Sequence, residues 1–366
     1  MEKNTVKIGT NVILNERLGV NKKQIFNIAK QIAELSKKGY FFYIISSGAI
    51  GFGKKTLKQK QGSALLATDV EVRPLHNGIL ATVGQVELIS CYKEIFAQFN
   101  LKMAQLLLAR DMFADRKKCE NLKVFLKELC EKNIIPIINE YDPLIFGEQS
   151  FGDNDSLAAA VAVLTDSSKL ILLSTVDGIY RAEDSNEVIK VIENANKEIE
   201  KRFCFQKTSK FGRGGMLSKL RAAKLASSAG IETFVINGLK ENSIKDLLSG
   251  KKIGTKIISL KNNLSEKQKW MLIRGFSGSK LVIDEGAKQA ILQRKSLLAV
   301  GIRKVSGKFD EKDYVDICDL SGDLIGIGMV NYPFEKLEIL NKIKDRNRIK
   351  KVFQKEVIHS NNLILV

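Results

Sequence analysis

Apolar and polar positions follow two periods along the first two thirds of the chain, and the pattern changes after that. Val6–Ile8 predicts a short strand. Ile25, Ile28, Ala29, Ile32 and Leu35 recur at the spacing of one helix face, and Gly39 follows as a stop. Phe41–Ile45 is a continuous apolar run, the pattern of a strand covered on both faces. Met103–Ala109 predicts the next strand, and Leu122, Phe125, Leu126 and Leu129 mark the next helix face. Ile134–Ile138 predicts a strand interrupted by Pro136. An Ala-rich helix over Leu157–Leu164 precedes the strand Lys169–Ser174. Met216, Leu220 and Ala223 mark a further helix, and Thr233–Ile236 closes the series as a strand. Strands alternating with helices predict an α/β class: a mostly parallel sheet sandwiched by helices.

Residues 261–269 are polar and predict a linker between a first domain over 1–260 and a second over 270–366. Beyond Trp270 the segments are short: Leu281–Ile283, a helix over Ala287–Leu292, then Tyr314–Ile317 and Leu324–Val330 as sheet. This predicts a small, mainly-β second domain. No internal repeat or low-complexity tract interrupts the pattern.

Composition narrows the function. A length of 366 residues suits two cores, and 44% apolar with 27% charged residues is an ordinary mixture. No run of eighteen apolar residues predicts a membrane span, and the N-terminus lacks a signal-peptide pattern. The five cysteines are scattered with no C-x-x-C, which predicts reduced thiols and a cytoplasmic location. His76 and His359 are the only histidines, which argues against a histidine-based nucleophilic triad or a multi-histidine metal site. We therefore expect no metal-ligating residue set. The net charge of +18 is spread over both parts, as solubility requires as readily as an RNA partner does.

Four glycine-rich turns sit where strands are predicted to end. Glycine lets backbone N–H groups approach an anion, and a following helix adds its dipole. The first is Lys7-Ile8-Gly9-Thr10, and the second runs Ser46-Ser47-Gly48 to Lys54. The second nearly spells a P-loop, but Lys55 stands where a Ser or Thr must meet magnesium. The third, Gly152-Asp153-Asn154-Asp155-Ser156, packs two carboxylates and an amide before the Ala-rich helix. The acids of Asn139-Glu140-Tyr141-Asp142 follow another buried strand. The fourth, Gly212-Arg213-Gly214-Gly215, opens a helix that carries Lys219. Singly, each reads equally well as an ordinary turn or helix cap. Together they gather two lysines, several glycines and a carboxylate at one sheet edge, the equipment of phosphoryl transfer.

In this order the motifs resemble the amino-acid-kinase family, and within it the glutamate 5-kinase branch. The matching stretches are VKIGTNV (6–12), SSGAIGFG (46–53), ATVGQ (81–85), IINEYD (137–142), FGDNDSLAA (151–159), LLSTVDGIY (172–180) and GRGGMLSKLRAA (212–223). The region after Trp270, with Ile283-Asp284-Glu285-Gly286-Ala287, is similar to a PUA domain. The resemblance implies ATP-dependent phosphorylation of the γ-carboxylate of L-glutamate, the first step of proline synthesis, with Mg2+ accompanying ATP. It implies that Lys7 and Lys219 stabilise the transferring phosphoryl group and that Asp155 orients them. It implies that Ser47, Asp142 and Asn154 hold glutamate. Lys7, Gly9, Ser174, Thr175, Arg213, Gly214, Gly215, Met216, Leu217, Ser218 and Lys219 would meet the nucleotide. It further implies a homo-oligomer, dimer or tetramer, with proline as feedback inhibitor, and it leaves open a weak RNA contact through the PUA domain. Two features depart from the family pattern: Thr175 stands where an acid is common, and Lys54–Asn77 is unusual, suiting a lid or a subunit contact. The alternatives are a kinase for another acceptor, such as N-acetylglutamate or UMP, and an RNA-binding or regulatory protein.

Overall fold

A computed structural model describes residues 1–15, 19–60, 74–140, 153–181, 187–193, 215–259, 264–274, 279–322, 324–343 and 345–365. The chain forms two compact units that change over at residues 262/263. Of the linker expected over 261–269, residues 261–263 lie outside the described residues and 266–269 lie in the helix Glu266–Arg274.

In the first unit the strands are β1 (Glu2–Ile8), β2 (Leu14–Asn15), β3 (Gly19–Val20), β4 (Tyr40–Ser46), β5 (Lys102–Leu108), β6 (Ile134–Glu140), β7 (Lys169–Ser174), β8 (Val191–Ile192), β9 (Glu232–Asn237) and β10 (Thr255–Ile257). The helices are α1 (Thr10–Ile13), α2 (Lys22–Ser36), α3 (Ala49–Lys60), α4 (Pro74–Ala97), α5 (Asp111–Ala114), α6 (Arg116–Glu131), α7 (Asn154–Leu164), α8 (Met216–Ser228) and α9 (Ser243–Leu248). Eight strands form one sheet in the order β5-β6-β4-β1-β7-β9-β10-β8. Its ladders are parallel except between β9 and β10. The sheet thus continues past β9, which the sequence took as the last strand.

The chain moves from β1 to β4 on one side and later returns to β7 on the other. Such a switch point opens a crevice at the carboxyl ends of the strands, where open α/β sheets bind ligands. Ile8 is in register with Ser46 on one side and Leu173 on the other, so the turns after β1, β4 and β7 share one edge.

Local chemistry explains the elements. Asn21 caps α2 by accepting from the Gln24 N–H, and the five expected positions of α2 are all buried. On α6, Leu122, Leu126 and Leu129 are buried, but Phe125 is 48% exposed. Cys119 and Cys130 take the remaining inward positions, so Phe125 lies outside the core face. Pro136 does not interrupt β6. It pairs with Ala104 of β5, while the ladder with β4 begins only at Ile137, so the residue without an N–H lies outside the β4 ladder. The 24-residue α4 went unseen in the sequence because it is apolar on several sides: Leu80, Leu88, Tyr92 and Phe96 are buried, yet Ile79 and Val86 are exposed. It packs tightly on α3 through two glycines. A Cβ on Gly84 would run into the Ala49 carbonyl, and one on Gly53 into the Leu80 carbonyl.

The second unit carries a five-stranded sheet. Its strands are β11 (Lys280–Ile283), β12 (Ile302–Ser306), β13 (Tyr314–Cys318), β14 (Leu324–Val330) and β15 (Ile358–Leu365), in the order β12-β11-β13-β14-β15. Leu281, Ile283, Val315, Ile317, Val330 and Ile358 form the centre of its core. Among the described residues no helix is long and apolar enough to cross a membrane. Cys91, Cys119, Cys130 and Cys318 are buried, and Cys204 lies outside the described residues.

Candidate active site

The site begins with a lysine inside a central strand. Successive strand side chains point to opposite faces, and Val6 and Ile8 are wholly buried on either side of Lys7. Lys7 is itself only 5% exposed. Its Nζ lies 2.8 Å from Oδ1 of Asp155, in the first turn of α7. The other carboxylate oxygen, Oδ2, is 3.0 Å from Nζ of Lys219 on α8. Ser218 Oγ donates to the same Oδ2 at 2.7 Å. Asp155 is fully buried and Lys219 is 7% exposed. One carboxylate therefore joins β1, α7 and α8.

Two helix starts make this possible. Asp153 caps α7 by accepting from the Ser156 N–H at 2.7 Å, which points the first turn at the strand ends. The body of α7 is buried throughout, and its alanines allow close approach to the sheet. Gly215 sits at the N-cap of α8 without a side-chain cap, and its carbonyl lies 2.8 Å from Ser218 Oγ. Both helices thus present their positive ends to the crevice.

The electrostatics follow from burial and count. Burial pushes the Lys7 ammonium below its ordinary value; the attraction of Asp155 opposes this and the Lys219 charge adds to it. For Asp155, burial alone would raise the carboxyl, but the Lys219 and Lys7 ammoniums outweigh it and hold it well below the usual carboxylate range. Burial, and then repulsion by Asp155, raise Asp153. The ion-paired cluster itself sets two ammoniums around one carboxylate in a nearly dry place, with the raised Asp153 carboxyl as the next titratable group. A buried cluster of that kind calls for an anionic partner.

Beside the cluster runs a chain of amides. Asn154 Nδ2 donates to Ser47 Oγ at 2.9 Å and to Asn139 Oδ1 at 2.9 Å. Asn139 Oδ1 also accepts from the Glu140 backbone N–H at 2.9 Å, and Asn139 Nδ2 donates to Gln85 Oε1 at 2.8 Å. Asn154 Oδ1 is buried and without a partner among the described residues. Gly48 follows Ser47 with φ of +111°, a conformation that favours glycine.

On the other side of the cluster, the Gly9 N–H donates to the Leu173 carbonyl at 3.2 Å, and a Cβ at Gly9 would press on that oxygen at 3.0 Å. Farther along this edge a cleft of about 110 Å³ is lined by Asp177, Asn237, Lys240, Ser243 and Gly254 among others. Asp177 accepts from Asn237 at 2.9 Å and pairs with Lys240 at 2.7 Å. Ser174 is half-buried and its carbonyl accepts from the Gly238 N–H at 2.7 Å, whereas Thr175 is exposed.

The structure thus brings Lys7, Asp155, Lys219 and Ser218 together, sets Ser47 and Asn154 beside them, and places Gly9, Ser174, Gly215 and Met216 along the same edge. Asp142, Arg213, Gly214 and the side chain of Leu217 lie outside the described residues. Sequence reasoning gave no role to Gln85, Asn139, Asn237 or Lys240. Gln85 and Asn139 stood inside quoted motifs, and Asn237 ends a strand at the ligand edge. Among the described residues no group of three or more Asp, Glu, His or Cys is placed to hold a metal ion, and both oxygens of Asp155 already face cations.

The Amino acid kinase family matches residues 3–237, and the PUA domain matches residues 279–352. The chain is 34% identical to a glutamate 5-kinase of Dictyoglomus thermophilum, over 99% of this chain and 96% of that one. It is 33% identical to a glutamate 5-kinase of Geobacter sulfurreducens, with coverage of 99% and 96%. A glutamate 5-kinase of Haemophilus influenzae is 35% identical over 92% and 90%.

Proposed function

The chain belongs to the amino acid kinase family, and we propose that it moves the γ-phosphoryl group of ATP to the γ-carboxylate of L-glutamate, as its glutamate 5-kinase relatives do by name. The observation that carries the chemistry is the buried Lys7–Asp155–Lys219 cluster with its two ammoniums around one carboxylate.

Phosphoryl transfer asks the protein chiefly for positioning and charge stabilisation. In this reading Lys7 and Lys219 meet the oxygens of the transferring group, and Asp155, tied to both, keeps them from drifting or repelling each other apart. Ser218 fixes the carboxylate in turn. The start of α8, from Gly215, approaches the phosphates with backbone alone, since no side-chain cap stands in the way. The cleft of Asp177, Asn237 and Lys240 takes the rest of the nucleotide. Magnesium arrives as part of the Mg·ATP substrate, held by its phosphates. The acceptor carboxylate is ionised at neutral pH, so no general base is needed. Ser47 and Asn154 hold glutamate on the far side of the lysines. Assembly into a homo-oligomer, inhibition by proline and a role of the PUA domain in RNA contact belong to the same proposal.

The test is turnover of Mg·ATP with L-glutamate, N-acetylglutamate, aspartate and UMP, trapping any acyl phosphate with hydroxylamine. The expected result is a hydroxamate formed with glutamate and reduced by about 100-fold or more in Lys219→Met, as the loss of a preorganised electrostatic contact implies. Turnover with a different acceptor alone overturns the substrate.

A further inference from the structure

The amide chain beside the lysines has a direction, and the backbone sets it. The Glu140 N–H can only donate, so the Asn139 atom facing it at 2.9 Å must be the oxygen. That same oxygen faces Asn154 at 2.9 Å, so Asn154 must turn its NH2 toward Asn139. The second hydrogen of that NH2 goes to Ser47 Oγ at 2.9 Å. The remaining atom of the Asn154 amide, its oxygen, is buried and without a partner among the described residues. At the other end, Asn139 must present its NH2 to Gln85, which answers with Oε1 at 2.8 Å.

A buried amide oxygen with no donor is costly unless a ligand supplies one. The proposed acceptor carries such a donor in its α-ammonium. We propose that Gln85, acting through Asn139, is a positioning residue that holds the Asn154 amide with its oxygen toward the substrate's α-ammonium. This deepens the reading of glutamate as substrate and rests on it. The inference goes past the expectation that Asn154 holds glutamate: it names the atom, the substrate group it meets, and the helix that fixes the arrangement. Gln85 stands on α4, which Gly53 and Gly84 lock against α3, so the far end of the chain is anchored to packed backbone rather than to a loop. It also gives a physical reason for a free amino group in the substrate. N-acetylation replaces a charged, three-donor ammonium with one neutral N–H and adds bulk at the spot where the oxygen waits.

The proposal separates the ammonium from the rest of the substrate, and glutarate, which lacks the amino group, tests it. Gln85→Leu removes the acceptor that Asn139 answers to, and Gln85→Glu keeps one. For each full-length enzyme we would measure KM for glutamate, KM for ATP, kcat, and the inhibition constant of glutarate against glutamate. In Gln85→Leu the KM for glutamate should rise roughly 10- to 100-fold, the range that a hydrogen bond to a charged group is worth. The KM for ATP and the inhibition constant of glutarate should hold, and Gln85→Glu should restore the glutamate KM. Equal weakening of glutamate and glutarate in Gln85→Leu, or an unchanged glutamate KM, overturns the relay while leaving glutamate as the substrate. Wild-type enzyme that turns over no glutamate overturns the substrate reading and the ammonium contact with it.

Discussion

Replacing Asp155 by Asn is the sharpest probe of the charge cluster. The side chain pairs with Lys7 at 2.8 Å and accepts from Lys219 at 3.0 Å and Ser218 at 2.7 Å, and no part of it reaches solvent. The amide keeps the shape and removes the charge, so two ammoniums are left nearly dry with nothing between them. Breaking a buried ion pair from one side costs about 3–5 kcal/mol. The folded state of the ligand-free protein should lose about that much, read as a lower denaturation midpoint. In turnover, both lysines lose the group that aligns them, so kcat should fall by roughly 10³, at the upper end for one preorganised contact. The pH dependence carries its own sign. Burial alone would raise the Asp155 carboxyl, but Lys219 and Lys7 hold it below the usual carboxylate range in the folded protein. Its stabilisation is therefore complete above about pH 4 and fades as the pH falls further toward the folded value. Wild-type stability should drop along that acid limb, and Asp155→Asn should lack this component. The assays are hydroxamate formation and denaturant unfolding from about pH 2.5 to 7. An Asn variant within about tenfold of wild-type kcat and with an unchanged midpoint would refute the assignment of Asp155 as the shared counter-charge.

Other perturbations test other parts. Ser218→Ala removes a donor to Asp155 but no charge, so kcat should fall far less than in Asp155→Asn, by about 10-fold, the worth of one hydrogen bond to a charged group. Gly84→Ala should lower the unfolding free energy by about 1–3 kcal/mol or more, because its methyl meets backbone on α3 that has no rotamer to yield; denaturant unfolding decides it. In the second unit, Leu281→Ala empties a fully buried position and should cost about 2–5 kcal/mol, read in the unfolding of that unit.

How much of this was readable beforehand varies from element to element. The strands buried on both faces showed as apolar runs, and α2 as a clean stripe, because one physical environment covers each of them. Helix α4 did not show, since its exposed Ile79 and Val86 blur the period that its buried face would write. Pro136 misled because the cost of a proline depends on which neighbour needs its N–H, and that is a matter of register. The lysines and Asp155 stood out as charges in glycine turns. Ser218 was placed only with the nucleotide, although it also fixes Asp155. Gln85 and Asn139 were silent because an amide gains a role only from the partner it faces, and those partners come from strands and helices 54 and 15 residues apart in sequence.

The backbone N–H of Glu140 has a consequence for how the site can change over time. A side-chain donor at that spot could be lost or reversed by one substitution, and the amides beyond it would then be free to turn over. A main-chain donor is present whichever residue other than proline occupies position 140, so drift at that position leaves the orientation of Asn139 untouched. Substitutions able to redirect this chain of amides are those at the side chains that pass the orientation along. A lineage could trade its acceptor for another by altering Gln85, Asn139 or Asn154 while the source of the signal stayed fixed in the fold.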